Sequence, residues 1–369
     1  MRFLMLNWRD PKNPRAGGAE RVSLGYLAAL VERGHHASWF THDFPGASTE
    51  EQIQGVQIVR GGGVGSSILH ARRWVARQAP FDLVIDQHHG IPWFAPWWCG
   101  THYVAFIHEV LGPIWNVFYK WPWNVIGRSQ ERWTHWVYRR VPFWTACDST
   151  RTTLHAHGVR NVTVIPYGVH TQALPELDSK SLQPPLRLIS VSRLAPNKRV
   201  DQAIRALNVL LAGGTAASLK IVGTGEIEPQ LRQLTRQLGL EKQITFTGPL
   251  DEAQKDKALR ESHFLLHTSQ REGWGLNVIE ANAMGTPSVV YPVAGLIEST
   301  LHRQTGLVSE LESPESLAAS IGEALRSPEL YQTWRRNAWA RAKTFHWDIV
   351  LPKACDWLEA RARGDAFPQ

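Results

Sequence analysis

The 369-residue chain carries 40 lysines and arginines against 33 acidic residues, which gives a formal net charge of +7. Hydrophobic residues make up 43% of the sequence and charged residues 20%, and this composition excludes a disordered or fibrous protein. The length predicts two domains of ordinary size, and the positive charge predicts an anionic partner, which would be phosphate groups, an anionic membrane or nucleic acid.

The cysteines and the apolar segments bear on the compartment. Cys99, Cys147 and Cys355 are scattered and show neither a disulfide framework nor the spacing of a zinc site. The apolar run at the start is too short for a signal peptide, and no stretch approaches the roughly 20 apolar residues that span a bilayer. We therefore expect a cytoplasmic protein. Twelve of the 17 tryptophans lie in the first 150 residues, which indicates that the two halves have different roles.

Short apolar runs alternate with helical patterns through the first half of the chain. The predicted strands are Phe3–Leu6, Ala37–Thr41, Val56–Val59, Leu83–Asp86, Tyr103–Ile107, Phe143–Ala146 and Val162–Ile165. Helices are predicted between them, for example over Gly18–Glu32 and Ser67–Gln78. Such alternation is typical of a parallel sheet with helices on both faces.

A second series of strands follows a break in this pattern. The polar, proline-bearing segment 171–185 is predicted to be a linker. The strands predicted after it are Leu186–Val191, Leu219–Val222, Ile244–Phe246, Phe264–His267 and Ser288–Val290. The fold class is therefore α/β, with two Rossmann-like doubly wound domains, over 1–170 and 186–344. We expect a ligand-binding cleft facing the carboxyl ends of both sheets.

The stretch from Ser269 to Pro287 carries the most chemical information. Gly273 and Gly275 follow a predicted strand and precede a predicted helix, so that the first amides of this helix can face phosphate or a polar sugar. Glu272 lies in the loop and Glu280 about two turns into the helix, and both are expected to reach one pocket. Two carboxylates repel phosphate, and they are better suited to accept hydrogen bonds from sugar or ribose hydroxyls. A loop with solvated acids is the alternative.

Five motifs in this order resemble family 4 of the retaining glycosyltransferases, which have the GT-B fold. They are Ala16-Gly17-Gly18-Ala19-Glu20-Arg21, Val191-Ser192-Arg193-Leu194-Ala195-Pro196-Asn197-Lys198, Ile221-Val222-Gly223-Thr224-Gly225-Glu226, Phe246-Thr247-Gly248, and the stretch from Glu272 to Glu280 that continues through Gly285-Thr286-Pro287. The resemblance covers nearly the whole chain. It also implies that the tail, 345–369, is a helix that crosses back onto the N-terminal domain.

The resemblance implies a role for each matching residue. Arg193 and Lys198 would bind the donor diphosphate and stabilise its charge as the glycosidic bond breaks, Glu272 would contact the transferred sugar, and His108 would lie near the reacting sugar. These four are the expected catalytic residues. The expected donor-binding residues are Gly17, Gly18, Gly273, Trp274, Gly275, Leu276, Asn277 and Glu280, of which Glu280 would hold the ribose hydroxyls.

The charges of Arg193 and Lys198 suit the same reaction on physical grounds. Two cations on a departing diphosphate stabilise it as a metal ion otherwise would. The chain contains no Asp-x-Asp motif, so we expect no metal and no cofactor. The alternatives are a solvated basic loop for these two residues and a packed or capping role for His108. The glycines Gly223 and Gly225 indicate turn geometry and not a ligand site.

Three positions depart from the family pattern. His170 stands where the family commonly has an acid, Ala294 where a glycine pair is usual, and Trp274 where phenylalanine is common. None of these differences removes a charged group from the expected site. They leave open which sugar and which base the donor carries.

Aromatic residues alternate with cations between Ile114 and Arg140. The cations are Lys120, Arg128, Arg132, Arg139 and Arg140, and the only acid is Glu131. Aromatic rings with cations suit a membrane interface or a lipid-phosphate headgroup. A tryptophan-rich edge of the core with ordinary surface arginines explains the pattern equally well. Nucleic acid is disfavoured as a partner because no recognised binding motif accompanies the charge.

The predicted function is retaining transfer of a hexose-type sugar from a GDP- or UDP-linked donor to a glycan or lipid-linked acceptor, without metal. Gly61-Gly62, Asp86 and Ser149-Thr150 match a branch of the family that resembles enzymes of cell-surface polysaccharide assembly. This resemblance implies a lipid-linked acceptor and, with it, a peripheral position at the inner face of a membrane. A GT-B-fold nucleotide-sugar epimerase and a non-catalytic nucleotide-sugar-binding protein are the alternatives.

Overall fold

The computed structural model describes residues 1–63, 65–88 and 90–365, which form two compact units. Unit 1 comprises Met1–Gly168 and the segment that starts at Asp348, and unit 2 comprises Val169–Trp347. The last four residues of the predicted C-terminal segment 345–369 lie outside the described residues.

Unit 1 contains an eight-stranded sheet in the order β3-β4-β2-β1-β5-β6-β7-β8. Neighbouring strands are parallel except β3 and β4, which pair antiparallel. The strands are β1 (Arg2–Leu6), β2 (His36–Thr41), β3 (Glu50–Ile53), β4 (Val56–Arg60), β5 (Leu83–His88), β6 (His102–Ile107), β7 (Phe143–Thr145) and β8 (Val162–Val164). The first half of the chain thus has the predicted parallel sheet, with one antiparallel strand added at its edge.

The described residues of unit 1 form six helices. They are α1 (Gly18–Glu32), α2 (Ser67–Val75), α3 (Trp115–Phe118), α4 (Trp123–Val137), α5 (Asp148–Ala156) and α13 (Trp347–Arg363), of which α13 enters the unit at Asp348. Two short 3₁₀ helices, Ala95–Trp97 and Gly112–Ile114, lie in loops. Arg33 at the end of α1 binds Asp356 and Glu359 of α13 at 2.6 and 2.9 Å, which attaches α13 to this unit.

Unit 2 contains a six-stranded, fully parallel sheet in the order β11-β10-β9-β12-β13-β14. The strands are β9 (Leu186–Val191), β10 (Ala217–Val222), β11 (Ile244–Gly248), β12 (Phe264–His267), β13 (Ser288–Val290) and β14 (Gly306–Val308). The helices are α6 (Val200–Ala212), α7 (Glu228–Gln237), α8 (Glu252–Glu261), α9 (Leu276–Ala283), α10 (Leu296–Ser299), α11 (Pro314–Arg326) and α12 (Pro328–Ala342). Two 3₁₀ helices, Pro196–Lys198 and Lys343–Phe345, complete the unit.

Both hydrophobic cores are built from strands with continuous apolar runs, which are typical of parallel sheets buried on both faces. In unit 1 a buried cluster joins Leu4 of β1, Phe40 of β2 and Trp93 with Ala71 of α2. In unit 2 the central strands β9 and β12 contribute Leu188, Ile189 and Leu265, which are fully or nearly fully buried.

Segment 171–185 differs from the linker expected there. It has no regular structure, but it lies within unit 2 and buries Leu174 and Leu182. The carbonyl oxygen of Leu174 accepts a hydrogen bond from Trp339 Nε1 at 2.7 Å, and that of Asp178 accepts one from Arg335 at 2.9 Å. The prolines and polar residues suggested a linker, but the apolar side chains between them pack against the unit.

Candidate active site

The topology of unit 2 brings two loops together at one end of its sheet. The chain runs from β9 to β10 on one side and later returns to β12 on the other side of β9, so the strand order reverses between β9 and β12. Ligands of doubly wound sheets bind at such a point, outside the carboxyl ends of the strands. The loops there are 192–199 and 268–275. They are joined by Gln270 N, which donates to Asn197 O at 2.9 Å.

Lys198 and Glu272 form an ion pair across these two loops. The Nζ–Oε2 distance is 2.6 Å, and both side chains are about one fifth exposed. Burial is the largest single effect and raises the pKa of the Glu272 carboxyl group, but the charge of Lys198, the nearby His267 and hydrogen bonds from Lys198 and Ser269 together outweigh it, and the pKa lies below the ordinary value. The site therefore holds a carboxylate and an ammonium group next to each other, reachable from solvent.

His267, the last residue of β12, is the third member of this cluster. Its Nε2 lies 3.5 Å from Glu272 Oε2. Burial lowers the pKa of His267 to about 4, although the carboxylate of Glu272 acts in the opposite direction. The imidazole is therefore neutral near pH 7, and it cannot compete with Lys198 as a cation. Sequence analysis did not single out this residue, although its place at the end of a strand was visible.

Arg193 lies in the first of the two loops and is exposed. The loop is held by close backbone contact with residues 223–225. Leu194 N donates to Thr224 O at 2.9 Å, and a Cβ atom on Gly223 or Gly225 would lie 2.0 or 2.2 Å from the carbonyl oxygen of Ser192 or Leu194. Neither glycine leaves room for a side chain. Their contacts with Ser192 and Leu194 fix the backbone on either side of Arg193.

The glycine loop before α9 has a left-handed residue at its end. Gly275 precedes the helix with φ +82°, a conformation that favours glycine. Asn277 Nδ2, in the first turn, donates to Val191 O at 2.7 Å and so fixes the start of α9 to the end of β9. Gly273 and Leu276 are half-buried, next to these residues. Trp274 is buried, and its ring lies 5.3 Å from that of Phe345, so its side chain packs inside unit 2.

Glu280 does not share the ion pair of Glu272. It binds Lys255 of α8, with Nζ–Oε1 at 2.9 Å, and Lys255 also binds Glu252 at 2.6 Å. Burial raises the pKa of the Glu280 carboxyl group, and Lys255 acts against this. Sequence analysis missed Lys255, because its 25-residue separation from Glu280 gives no local signal.

The candidate residues of unit 1 form a separate network. His108 follows β6, and its Nδ1 forms a short hydrogen bond with the hydroxyl group of Tyr167. Its Nε2 lies 2.6 Å from Gln87 Nε2, and Gln87 Oε1 accepts a hydrogen bond from Ser23 at 3.0 Å. Both ring nitrogens are therefore engaged, which fixes the orientation of the imidazole at the carboxyl end of the sheet.

Gly17 and Gly18 are exposed at the amino end of α1. The Gly17 amide donates to Glu20 Oε2 at 2.7 Å, and the Glu20 carboxylate also binds Arg9 at 3.0 Å. This is one half of a capping box, because Glu20 accepts from the N-cap amide but glycine has no side chain to accept from the amide of Glu20. In this conformation the Gly17 amide is occupied by a carboxylate of the same helix.

The described residues contain no group of three or more His, Cys, Asp and Glu side chains arranged to hold a metal ion. Within the same residues, no helix has the length and apolar content required to cross a membrane.

Two family models match successive parts of the chain. The model described as Glycosyltransferase Family 4 matches residues 16–173, and the model described as Glycosyl transferases group 1 matches residues 177–341. Together they cover almost all of both units.

The curated relatives are of moderate identity. Glycogen synthase of Mycobacterium tuberculosis is 28% identical over 254 residues, which are 68% of this chain and 61% of that protein. A GDP-mannose-dependent alpha-(1-6)-phosphatidylinositol monomannoside mannosyltransferase of the same organism is 31% identical over 188 residues, 48% of this chain and 47% of that protein. The match thus spans about half to three fifths of the length of these relatives.

Solved structures match over nearly their full length. Sucrose-phosphate synthase from Thermosynechococcus elongatus superimposes with a TM-score of 0.78 at 16% identity, covering 99% of this chain and all of that one. HepE of Anabaena, in complex with UDP-glucose, gives a TM-score of 0.73 at 17% identity and covers 98% of this chain and all of that one. At such identities these matches establish the fold alone.

Proposed function

This chain belongs to family 4 of the glycosyltransferases and has the GT-B fold, and from that premise we propose that it transfers a hexose-type sugar from a nucleotide-diphosphate sugar to an acceptor. The proposed transfer retains the configuration of the anomeric carbon and uses no metal ion. The donor is GDP- or UDP-linked, and the acceptor is a glycan or a lipid-linked molecule.

The observation that carries this proposal is the cluster at the strand-order reversal of unit 2. Lys198 is held by Glu272 at 2.6 Å, and Arg193 lies in the same loop as Lys198, exposed to solvent. Cations held in place before the reaction stabilise developing negative charge without reorganising during it. A diphosphate leaving group develops such charge.

The proposed steps follow from these roles. The bond between the anomeric carbon and the diphosphate oxygen breaks, and this oxygen keeps the electron pair. Arg193 and Lys198 stabilise the resulting charge. The acceptor hydroxyl attacks the face from which the diphosphate departs and gives its proton to the phosphate. Glu272 binds hydroxyl groups of the transferred sugar, and Glu280 binds the ribose.

A lipid-linked acceptor is the finer part of the proposal. It includes peripheral association of the chain with the inner face of a membrane, where the sugar-accepting end of such a lipid meets the aqueous phase. One of the similar proteins is named for transfer to a phosphatidylinositol mannoside, which supports this acceptor class.

The experiment is a panel of UDP- and GDP-linked hexoses, followed by NMR for released nucleoside diphosphate and for sugar identity. We expect release of diphosphate with one donor, and equal rates in EDTA and in added manganese. The Lys198→Met variant should lose this activity, whereas Lys242→Met, which changes an exposed lysine of the same unit, should retain it.

The same spectra distinguish the other functions. An isomerised donor without diphosphate release would identify an epimerase, and an unchanged donor that still binds would identify a binding protein. Activity that EDTA abolishes and manganese restores would contradict the proposal that no metal ion is used, and it would leave the proposed glycosyl transfer standing.

A further inference from the structure

Helix α4 of unit 1 has its polar and apolar sides reversed relative to an ordinary surface helix. The residues that it buries are Gly127, Glu131, Thr134 and His135. The side chains that it exposes by about half or more are Trp123, Val125, Ile126, Trp133 and Trp136. A surface helix of a globular protein normally turns its apolar stripe toward the core. Here the apolar side chains face solvent.

Specific contacts on the buried side fix this orientation. Glu131 accepts hydrogen bonds from the amides of Leu111 and Gly112 at 2.6 and 2.8 Å. A Cβ atom on Gly127 would lie 2.3 Å from the ring of Trp115, so the two pack in direct contact. Rotating α4 to bury its tryptophans would break these hydrogen bonds and leave a carboxylate without them. The exposure of the tryptophans is therefore built into the fold.

Neighbouring segments extend the apolar surface. Trp121, in the turn between α3 and α4, is 80% exposed. Trp97 is more than half exposed, and its ring lies 5.5 Å from that of Phe94, which in turn lies 6.4 Å from the ring of Trp133. We call this surface the aromatic face, comprising Trp97, Trp121, Trp123, Ile126, Trp133 and Trp136. A contiguous exposed apolar surface of this kind marks an interaction site.

The charges around the aromatic face indicate its partner. Lys120, Arg128, Arg132 and Arg140 are exposed, and Arg139 stacks on the Trp136 ring at 4.3 Å. Between residues 111 and 141 the only acid is Glu131, whose carboxylate is turned inward. Segment 111–141 therefore presents apolar side chains together with exposed charges that are all positive. A second copy of this chain would bring like charges together, which opposes self-association through this face.

We propose that the aromatic face docks on an anionic lipid bilayer. The indole rings enter the interfacial region, where amphipathic aromatic side chains are favoured, and the cations contact the anionic headgroups. This inference rests on the membrane part of the proposed function and names the surface that performs it. Docking there holds unit 1 at the membrane without a spanning segment.

The first test measures sedimentation of the full chain with vesicles, in the absence of any donor. Vesicles of phosphatidylcholine alone are compared with vesicles that also contain phosphatidylglycerol, at low and high salt. We expect binding to the anionic vesicles and a steep loss of binding as salt rises. Substituting Lys120, Arg128 and Arg132 together by Gln should weaken binding about 100-fold at low salt, since each cation contributes a factor of about five.

A control triple variant tests whether net charge alone explains the result. Arg236, Lys242 and Arg326 are exposed cations of unit 2, and substituting these three by Gln removes the same charge. We expect this variant to bind like the unchanged chain. Equal weakening by both triples would show that binding follows total charge, and it would overturn the aromatic face as the docking surface.

A second test reports insertion of the face. An environment-sensitive fluorophore is attached to Ile126→Cys or, as control, to Leu330→Cys, each in a Cys99→Ala background, because Cys147 and Cys355 are buried. Both positions are similarly exposed, but only the first lies on the aromatic face. We expect a blue shift with anionic vesicles at position 126 and none at 330. No shift at 126 would overturn insertion.

The remaining outcomes separate this inference from glycosyl transfer. Vesicle binding without donor turnover would leave docking valid and reject the enzyme activity, and the reverse result would reject docking alone.

A concentration-dependent dimer that Trp133→Glu disrupts would show that a second copy covers the face, and it would overturn the proposal. Donor hydrolysis by the Lys120, Arg128 and Arg132 triple should match that of the unchanged chain.

Discussion

Lys198 and Glu272 are 74 positions apart in sequence, and yet they make the shortest link between the two loops of the candidate site. Because Glu272 holds the ammonium group, little side-chain freedom is lost when an anion binds beside it. In the proposed reaction the diphosphate of the donor would compete with Glu272 for Lys198. The carboxylate would then be released toward other hydrogen-bond donors, such as sugar hydroxyls.

At this scale we predict that Arg193→Ala and Lys198→Ala each lower kcat by about 100-fold, the scale for one preorganised electrostatic partner. The charge on the leaving group is larger in the transition state than in the bound donor, so kcat should fall more than KM rises. Steady-state kinetics with the active donor measures both constants. A rise in KM with an unchanged kcat in both variants would contradict the leaving-group role.

A second residue-scale prediction concerns stability and pH. His263 is buried, and its Nδ1 accepts a hydrogen bond from the amide of Arg187 at 2.9 Å. Burial lowers its pKa to about 4, with Arg187 and Lys180 acting in the same direction. Between the ordinary value of 6.5 and about 4, the unfolded chain binds a proton that the folded chain does not, so the free energy of unfolding falls as the pH falls.

Chemical denaturation at pH 7 and pH 5 checks this expectation. The His263→Asn variant keeps a hydrogen-bond acceptor but does not titrate, and its loss of stability over this range should be smaller than that of the unchanged chain by about 2 kcal/mol. His36→Asn changes an exposed histidine and should leave the pH dependence as it is. Identical slopes for all three proteins would refute the assignment to His263.

The sequence predicted the charged groups at the site better than their partners. Arg193, Lys198 and Glu272 follow β9 and β12, and the carboxyl ends of neighbouring parallel strands meet at one edge of a sheet. The partners depend on side-chain directions that no local pattern encodes. Glu280 pairs with Lys255, which no pattern indicated, and its contact with a donor ribose stays a prediction. The Trp274 side chain packs against Phe345, and the donor contact expected of the amides near it stays a prediction as well.

At the scale of elements, the turn before α10 supports the loop that carries Glu272. Gly295 has φ +71°, and a Cβ atom there would lie 2.3 Å from the Glu272 carbonyl oxygen. Gly214 has a similar φ of +80° with no atom within 4 Å of such a Cβ. Both glycines have a positive φ, which favours glycine, but only Gly295 is crowded, and its ψ of −46° lies outside the left-handed helical region.

This pair gives a matched prediction. Gly214→Ala should cost about 1 kcal/mol of stability, the penalty of a left-handed alanine, and leave donor turnover unchanged. Gly295→Ala should displace the backbone of Glu272 as well, and lower turnover at least tenfold at temperatures where the variant remains folded. Turnover and thermal unfolding are measured on both. Equal turnover in the two variants would show that the contact at Gly295 does not position Glu272.

Prediction of the elements themselves was best where apolar runs were long. Helix α1 has the predicted bounds, Gly18–Glu32. The edge strand β3 was missed because its sequence, Glu-Glu-Gln-Ile, is polar, and its pairing with β4 alone leaves it largely in contact with solvent. Strand β14 was missed because three residues that begin with a glycine give no periodic signal.

At the scale of the whole molecule we predict retention of the anomeric configuration. The match to the model described as Glycosyltransferase Family 4, and the resemblance to the retaining enzymes of that family, support it. NMR of the first product formed, before any mutarotation, measures the coupling of the anomeric proton. An inverted product would contradict the proposed route, in which the acceptor attacks the face that the diphosphate leaves.

Helix α13 closes unit 1 although all of unit 2 precedes it in the chain. His102 at the start of β6 contacts the carbonyl oxygen of Ala362 at 3.0 Å, and Trp144 of β7 packs against Trp357. During synthesis on the ribosome, these partners are made after the 179 residues of unit 2, which corresponds to a delay of roughly 10 to 40 s at ordinary elongation rates. Unit 2 can complete its fold from a continuous stretch of nascent chain. The sheet of unit 1 is synthesised first, and its contact surface for α13 stays exposed until α13 emerges from the ribosome.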